Sequence, residues 1–336
     1  MKAREGDLIE TDKMILDVKG LVHPPNRTIA FIRYFPDEKG ERKRNGTNYR
    51  KVYSLSKRYS VLEKSFSQYL VYDPVFDETL CEVPNSDVKW HHKPVKKLQE
   101  MRSSKDLDAL ESKALRLAEV LKAEASVSWN TIGVSGSILV ELQGKHSDVD
   151  PIVYGSENCR KVYSALKEVL SKTDGLFKCY DQNDLKSLFD FRSKDSSADF
   201  ESFVRTESRK VMQGKFLGTD YFVRFVKDWQ EIDEAYGDIH YKNVGVAEVK
   251  ATIADDSEAI FTPCVYKVSG VQVLGGPQVE HIEEIASFRG RFCEQARVGE
   301  AVIAQGKLEH VTDNRRGRVH YRLLLGNKPS DSMILA

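Results

Sequence analysis

Cysteine is scarce and poorly spaced for chemistry. The five residues, Cys81, Cys159, Cys179, Cys264 and Cys293, are scattered through 336 positions. An odd count without a CxxC pair argues against a disulfide framework or a zinc knuckle and reads as reduced thiols in a cytoplasmic protein. No apolar run approaches the roughly 20 residues needed to span a bilayer, so no membrane partner is expected. The first residues, MKAREGDLIETDK, are charged and lack the apolar core of a secretory signal. Charge of one sign is missing too: Lys plus Arg and Asp plus Glu both total 51. A chain without a strongly cationic field is not expected to coat nucleic acid, which leaves only local basic patches for such contacts. No internal repeat or low-complexity linker interrupts the sequence.

What is present suggests three parts, in line with a length too great for one ordinary domain. Residues 1–100 are β-rich: MILDVKGLV, TIAFIRYF and YLVYD are short β-branched and aromatic runs with turn residues between them. Residues 103–230 change period. The leucines at 107, 110, 115, 117 and 121 predict a helix over 103–126, with Ser104 or Asp106 as its cap. A strand near 131–135, a short helical turn, a strand at 148–154, helices at 157–172, 181–191 and 198–213, and a strand at 220–226 follow. This alternation predicts an α/β core with a mixed sheet. From 240 to 336 five strand-like runs separated by turns suit a small barrel of the OB type.

The chemistry gathers in GVSGSILVELQGKHSDVDPIVYG, residues 133–155. Asp148 and Asp150 are one residue apart at the start of an apolar run, so in a strand they share a face. Two like charges this close raise each other's pKa unless a cation neutralises them. A hard divalent ion, Mg²⁺ or Mn²⁺, resolves the conflict, because such ions take one or two carboxylates together with substrate phosphates. Gly136 and Ser137 lie between a strand and a short helix. There small residues let a phosphate approach backbone N–H groups, and the Ser137 hydroxyl adds a donor. The bland alternative is a solvated strand edge beside a turn.

Gly136-Ser137, a ten-residue spacer and Asp148-Val149-Asp150 resemble the signature of the DNA polymerase β-type nucleotidyltransferase superfamily. The resemblance covers about 103–230. It implies a nucleoside triphosphate on Gly136 and Ser137, and two metal ions on Asp148 and Asp150. The layout of the whole chain also looks like predicted archaeal nucleotidyltransferases of uncertain substrate. The superfamily often has a third carboxylate on a later strand, acting as base and metal ligand. Asp220, opening the 220–226 strand, is the candidate, and Arg224 on the same face is a candidate phosphate clamp. Pro151 departs from the pattern, since a central strand wants an N–H donor there. The resemblance implies transfer of a nucleoside monophosphate to an acceptor hydroxyl, with nucleic acid as one acceptor class. The rival function is a non-catalytic nucleic-acid or protein-binding scaffold that keeps the fold.

Other features have simpler readings. Arg209 and Lys210 suit a helix end as surface charges, though they too are candidate clamps. The basic stretch KWHHKPVKK at 89–97 reads as an interdomain linker, with Trp90, His91 and His92 as an alternative nucleic-acid contact. The basic run around Asn45-Gly46 reads as a solvated hairpin tip. Phe288, Arg289, Arg291 and Phe292 alternate aromatic and cation along an expected strand.

Overall fold

A computed structural model describes residues 1–172, 175–193 and 199–336. Its strands and helices, in chain order, are β1 (Leu8–Glu10), β2 (Ile15–Val18), β3 (Arg27–Pro36), β4 (Arg42–Arg44), β5 (Thr47–Lys51), α1 (Leu55–Ser65), β6 (Leu70–Asp73), β7 (Glu78–Pro84), β8 (Trp90–His92), α2 (Pro94–Ser103), α3 (Ala109–Ala125), β9 (Ile132–Val134), α4 (Gly136–Leu139), β10 (Pro151–Tyr154) and α5 (Ser156–Leu170). They continue with β11 (Phe177–Lys178), α6 (Gln182–Arg192), α7 (Phe200–Glu207), β12 (Gln213–Phe216), β13 (Thr219–Phe222), β14 (Arg224–Val226), β15 (Ile239–Glu258), β16 (Cys264–Gly275), β17 (Ile282–Ser287), β18 (Ala301–Asp313), β19 (Arg318–Leu325) and β20 (Ser332–Leu335). Among the described residues no helix is long and apolar enough to cross a membrane.

Backbone contacts gather the chain into two compact units. One takes residues 1–71, 81–179 and 211–233; the other takes 72–80, 180–210 and 234–336. Most of the segments expected as an N-terminal part and a central core thus share the first unit.

In the first unit, the N-terminal sheet runs β4-β5-β3-β2-β1-β8, with β7 also pairing with β3. Alternation along the strands gives the sheet two buried faces. Ile9, Leu16, Ala30, Ile32, Leu62 and Val83 pack on one side. On the other, Leu8, Ile15 and Tyr34 pack against Leu139, Val140 and Leu142, which follow the Gly136-Ser137 turn. Each such side chain contributes roughly 1.5–3 kcal/mol when fully buried, so the second face fixes the turn against the sheet. Three further strands lie in the order β14-β10-β9. β10 is antiparallel to β9 and parallel to β14, and α5 packs on β10 and β14 and meets α3.

Several expected elements are corrected here. The helix expected over 103–126 starts at Ala109. Asp108 caps it by accepting from Leu110 N and Glu111 N, both at 2.8 Å, while Glu111 accepts from Asp108 N. The reciprocal capping box outcompetes Ser104 and Asp106. The 89–97 stretch is not a linker: it forms β8, paired with β1, and opens α2 with Pro94 in the first turn. The helix expected over 198–213 is α7, capped by Asp199 and ended at Glu207; Ala198 lies outside the described residues. The 220–226 strand is broken at Val223, whose N–H donates to Met212 O instead.

The second unit holds the C-terminal strands. β15 pairs with β16 and with β18, so the order β15-β16-β17-β19-β18 returns to β15 and closes a five-stranded ring. β17 and β19 run parallel, and β20 adds to β18. The 20-residue β15 takes part in both pairings because register shifts bend it. The strand expected to carry Phe288 through Phe292 stops at Ser287, whose hydroxyl donates to Leu325 O and accepts from Arg289 N. Residues 290–292 then form a short turn, which removes the aromatic-cation alternation. Arg209 ion-pairs with Glu300, and buried Lys210 pairs with Glu207 and donates to Arg291 O. Both belong to this unit, apart from the unit that holds Asp148 and Asp150.

Candidate functional site

The Gly-Ser turn and the aspartate strand are fitted to each other at atomic range. Ser135 N donates to Asp150 O at 2.8 Å, continuing the pairing of β9 with β10. Gly136 then takes φ +64°. A Cβ on it would lie 1.8 Å from Asp150 Oδ2, so only glycine lets the turn approach the carboxylate. Ser137 is 3 % exposed, and among the described residues its buried hydroxyl has no hydrogen-bond partner. A native structure rarely leaves such a donor unpaired unless a ligand or water completes it.

The loop from Val140 to Ser147, which delivers Asp148, is tied down by other elements. Arg44 donates to Val140 O at 3.2 Å and pairs with Glu10. Lys97 lies 3.3 Å from Glu141. Asp108, the α3 cap, accepts from Gln143 Nε2 at 2.9 Å. Arg42 donates to Ser147 Oγ at 3.0 Å, and Ser147 Oγ accepts in turn from Gly144 N. The hairpin tip itself is solvated as expected, with Lys43, Asn45 and Gly46 exposed, but Arg42 and Arg44 beside it are engaged. Asn45 and Gly46 do turn it, at φ 49° and 82°, but its arginines hold the loop that leads to the aspartates.

Pro151 opens β10, the one place in a paired strand where a missing N–H costs little. Val149 exchanges backbone bonds with Asp220 O and Phe222 N, and Ile152 then pairs with Arg224 in the same parallel register. The ladder lapses between these pairs, at Pro151 and Val223.

The electrostatics are concentrated on Asp150. Burial first, and then Asp148, push its carboxyl well above the usual carboxylate range, while Arg224, Lys51 and Arg33 act the other way. Lys51 is pushed down to about 8 by burial and then by Arg33, against the pull of Asp148 and Asp150. Buried Tyr34 is pushed up to about 12, chiefly by burial. Arg33 and Lys51 stand on the N-terminal sheet and were missed from sequence. Their signal was weak, since two cations in amphipathic strands look like any solvated strand face.

Two sequence expectations are corrected. Asp220 is exposed, and its carboxylate lies 3.4 Å from Lys215, its cross-strand partner in the β12–β13 hairpin. Among the described residues no three or more His, Cys, Asp or Glu side chains are placed together to hold a metal ion. The expected trio of Asp148, Asp150 and Asp220 is therefore not assembled. Arg224 lies 2.6 Å from the fully buried Glu5 and 4.0 Å from Asp17, so its guanidinium is engaged by acids of the N-terminal segment, while its charge still acts on Asp150. Lys19 binds the same two acids at 3.2 and 2.9 Å. His91 and His92 are likewise committed, to Asp7 at 2.7 Å and Glu10 at 2.8 Å.

The donor set still fits a hard cation. Asp148 and Asp150 supply two carboxylates, and Mg²⁺ is usually held by one or two of them with the remaining positions left to phosphate and water. Gly136 lets the turn pack directly on the Asp150 carboxylate, and among the described residues the buried Ser137 hydroxyl next to it has no partner.

No protein-family model matches the chain, and no solved structure matches it. Uncharacterized protein MJ1086 of Methanocaldococcus jannaschii is 34 % identical to it over 336 residues, covering 97 % of this chain and 96 % of that protein. At that identity and coverage, the chain belongs to the same family as the Methanocaldococcus jannaschii protein.

Proposed function

We propose that the protein is a metal-dependent nucleotidyltransferase of the DNA polymerase β type, acting in the cytoplasm. The observation that carries this reading is the fit of Gly136 onto Asp150, with the Ser137 hydroxyl unpaired beside them. In the proposed reaction an acceptor hydroxyl oxygen attacks the α-phosphorus of a nucleoside triphosphate. A P–O bond to the acceptor forms, the bridging α–β P–O bond breaks, pyrophosphate leaves and the hydroxyl proton passes to solvent. Asp148 and Asp150 would hold Mg²⁺ or Mn²⁺, which when bound lowers the pKa of the acceptor hydroxyl and offsets phosphate charge. Ser137 donates to the triphosphate, and the Gly136 turn keeps Asp150 aligned. Positioning and charge carry most of such a transfer, so a missing third carboxylate does not by itself end it. We read the closed five-stranded ring as an OB-type barrel, an architecture used to bind oligonucleotides, which makes nucleic acid one acceptor class.

The second reading, a binding scaffold that keeps the fold, is favoured by Asp220, which faces solvent and Lys215. Incubation with each α-labelled nucleoside triphosphate, Mg²⁺ or Mn²⁺, and RNA, DNA and protein acceptors decides between the two. The expected result is label on one acceptor class, lost with Asp148→Asn/Asp150→Asn. No transfer to any acceptor by the parent protein supports the scaffold.

A further inference from the structure

We propose that Arg33 and Lys51, on the N-terminal sheet, form the polyphosphate-binding half of the site and take the distal phosphates of the nucleoside triphosphate. The inference rests on the nucleotidyl-transfer reading for the nucleotide part of the ligand, but its anion chemistry stands on the following geometry.

Arg33 sits at a β-bulge. β2 pairs Ile15 with Tyr34 and Leu16 with Ile32, which leaves Arg33 as the extra residue on β3. A bulge of this kind re-aims a side chain out of the regular alternation. Here the guanidinium comes under the influence of Asp17, Asp150 and Asp148. Lys51 lies across from Tyr34 on the neighbouring strand β5. Tyr34 in turn packs on Leu139, Val140 and Leu142 of the segment that leads to Asp148, and the charges acting on Lys51 are Arg33, Asp148, Asp150 and Arg42.

The other cations nearby have direct partners. Arg224 and Lys19 contact Glu5 and Asp17, with Arg224 also acting on Asp150, and Arg42 donates to Ser147. Neither the Arg33 nor the Lys51 side chain has an ion pair or hydrogen bond among the described residues; Lys51 only lies 4.9 Å over the Tyr53 ring. Both are half-buried. Holding two like charges together, partly desolvated and without a carboxylate in contact, is unfavourable unless an anion joins them. Two further groups point to a ligand. Tyr34 is 1 % exposed and, among the described residues, its buried hydroxyl has no partner, as is true of Ser137. Tyr34 packs against Leu139 and Val140, beside the Ser137 turn. A linear polyphosphate matches this arrangement. It presents several anionic oxygens in a row, accepts from guanidinium, ammonium and hydroxyl together, and shares a divalent ion with Asp148 and Asp150.

Calorimetric titration of the full chain with tripolyphosphate, ATP and AMP, with and without Mg²⁺, tests the proposal. The parent is expected to bind tripolyphosphate and ATP, and AMP far more weakly. Arg33→Gln and Lys51→Gln should each weaken tripolyphosphate binding about tenfold or more, the scale of one charge-assisted hydrogen bond. Arg33→Lys should restore part of that loss, and Arg116→Gln, at an exposed α3 position, should change nothing. A double variant that melts at a lower temperature yet binds tripolyphosphate like the parent overturns the proposal, leaving the pair as a structural counterweight to the aspartates. A parent that binds AMP as well as it binds tripolyphosphate overturns it too. The two readings fail separately. Binding that depends on Arg33 and Lys51, without label transfer to any acceptor, supports this site and sinks the transferase. Label transfer with unchanged affinity in the double variant does the reverse.

Discussion

Gly136 is where a single atom decides the chemistry. Its φ of +64° is strained for an L-residue, and a Cβ would meet the Asp150 carboxylate at 1.8 Å. Gly136→Ala is therefore expected to push Asp150 out of place and to cost about 1–3 kcal/mol of stability. Divalent-ion binding should suffer more. Calorimetry with Mn²⁺ is expected to show at least a tenfold loss, alongside a melting shift of only a few degrees. Parental Mn²⁺ affinity would mean that the turn and the carboxylate are not coupled. Asp220 teaches the opposite lesson. Its residue type and its place at a strand start suit a third ligand, but whether a strand-start carboxylate turns toward a site or toward a cross-strand lysine is not written in its neighbours along the chain.

At the scale of elements, the aspartate loop is held by residues that sequence reading gave to other duties. Arg42 and Arg44 come from a hairpin whose Asn45-Gly46 turn was legible, but whose contacts were not. Asp108 serves twice, as the cap of α3 and as acceptor for Gln143. Asp108→Ala should cost about 1 kcal/mol, the usual loss for an N-cap. The urea midpoint should fall at unchanged slope. Unaltered stability would show that Glu111 and solvent satisfy the helix start without it. Helix existence was readable from the leucine spacing. Its boundary was not, because Ser104, Asp106 and Asp108 are all good caps and only the reciprocal bond to Glu111 selects one.

At the scale of the molecule, the N-terminal segment is locked into its unit by His23. Nε2 donates to Ala3 O at 3.0 Å, while Nδ1 accepts from Ile29 N. That arrangement requires a neutral ring, and burial pushes the imidazole down to about 4. The folded value lies below the unfolded value of about 6.5. Between those limits the unfolded chain binds the extra proton, so stability rises with pH through the window and is lost on acidification from about 6.5 towards 4. The contribution lost is on the order of 2 kcal/mol by pH 5. Urea unfolding at pH 7.5 and pH 5 should show the drop, and His23→Gln should flatten it. An equal drop in the variant would assign the effect to other groups.

The sequence alone carried the Gly136-Ser137 turn and the Asp148-x-Asp150 pair. It also carried the alternation of helices and strands between α3 and β14 in outline and five strands of the C-terminal part, because each depends on local periodicity or turn chemistry, but it missed α1 and α2 in the segment read as β-rich. The tertiary structure alone decided what surrounds the aspartates. Arg33 and Lys51 act on Asp150 from about 100 residues away in the chain, placed by a bulge and a strand pairing. Arg224 is bound by Glu5, more than 200 residues before it, and Asp220 by Lys215 in its own hairpin. Charges along a chain state what is available; the distances that decide which carboxylate stays free and which cation stays unpaired exist only once the sheets have closed on one another.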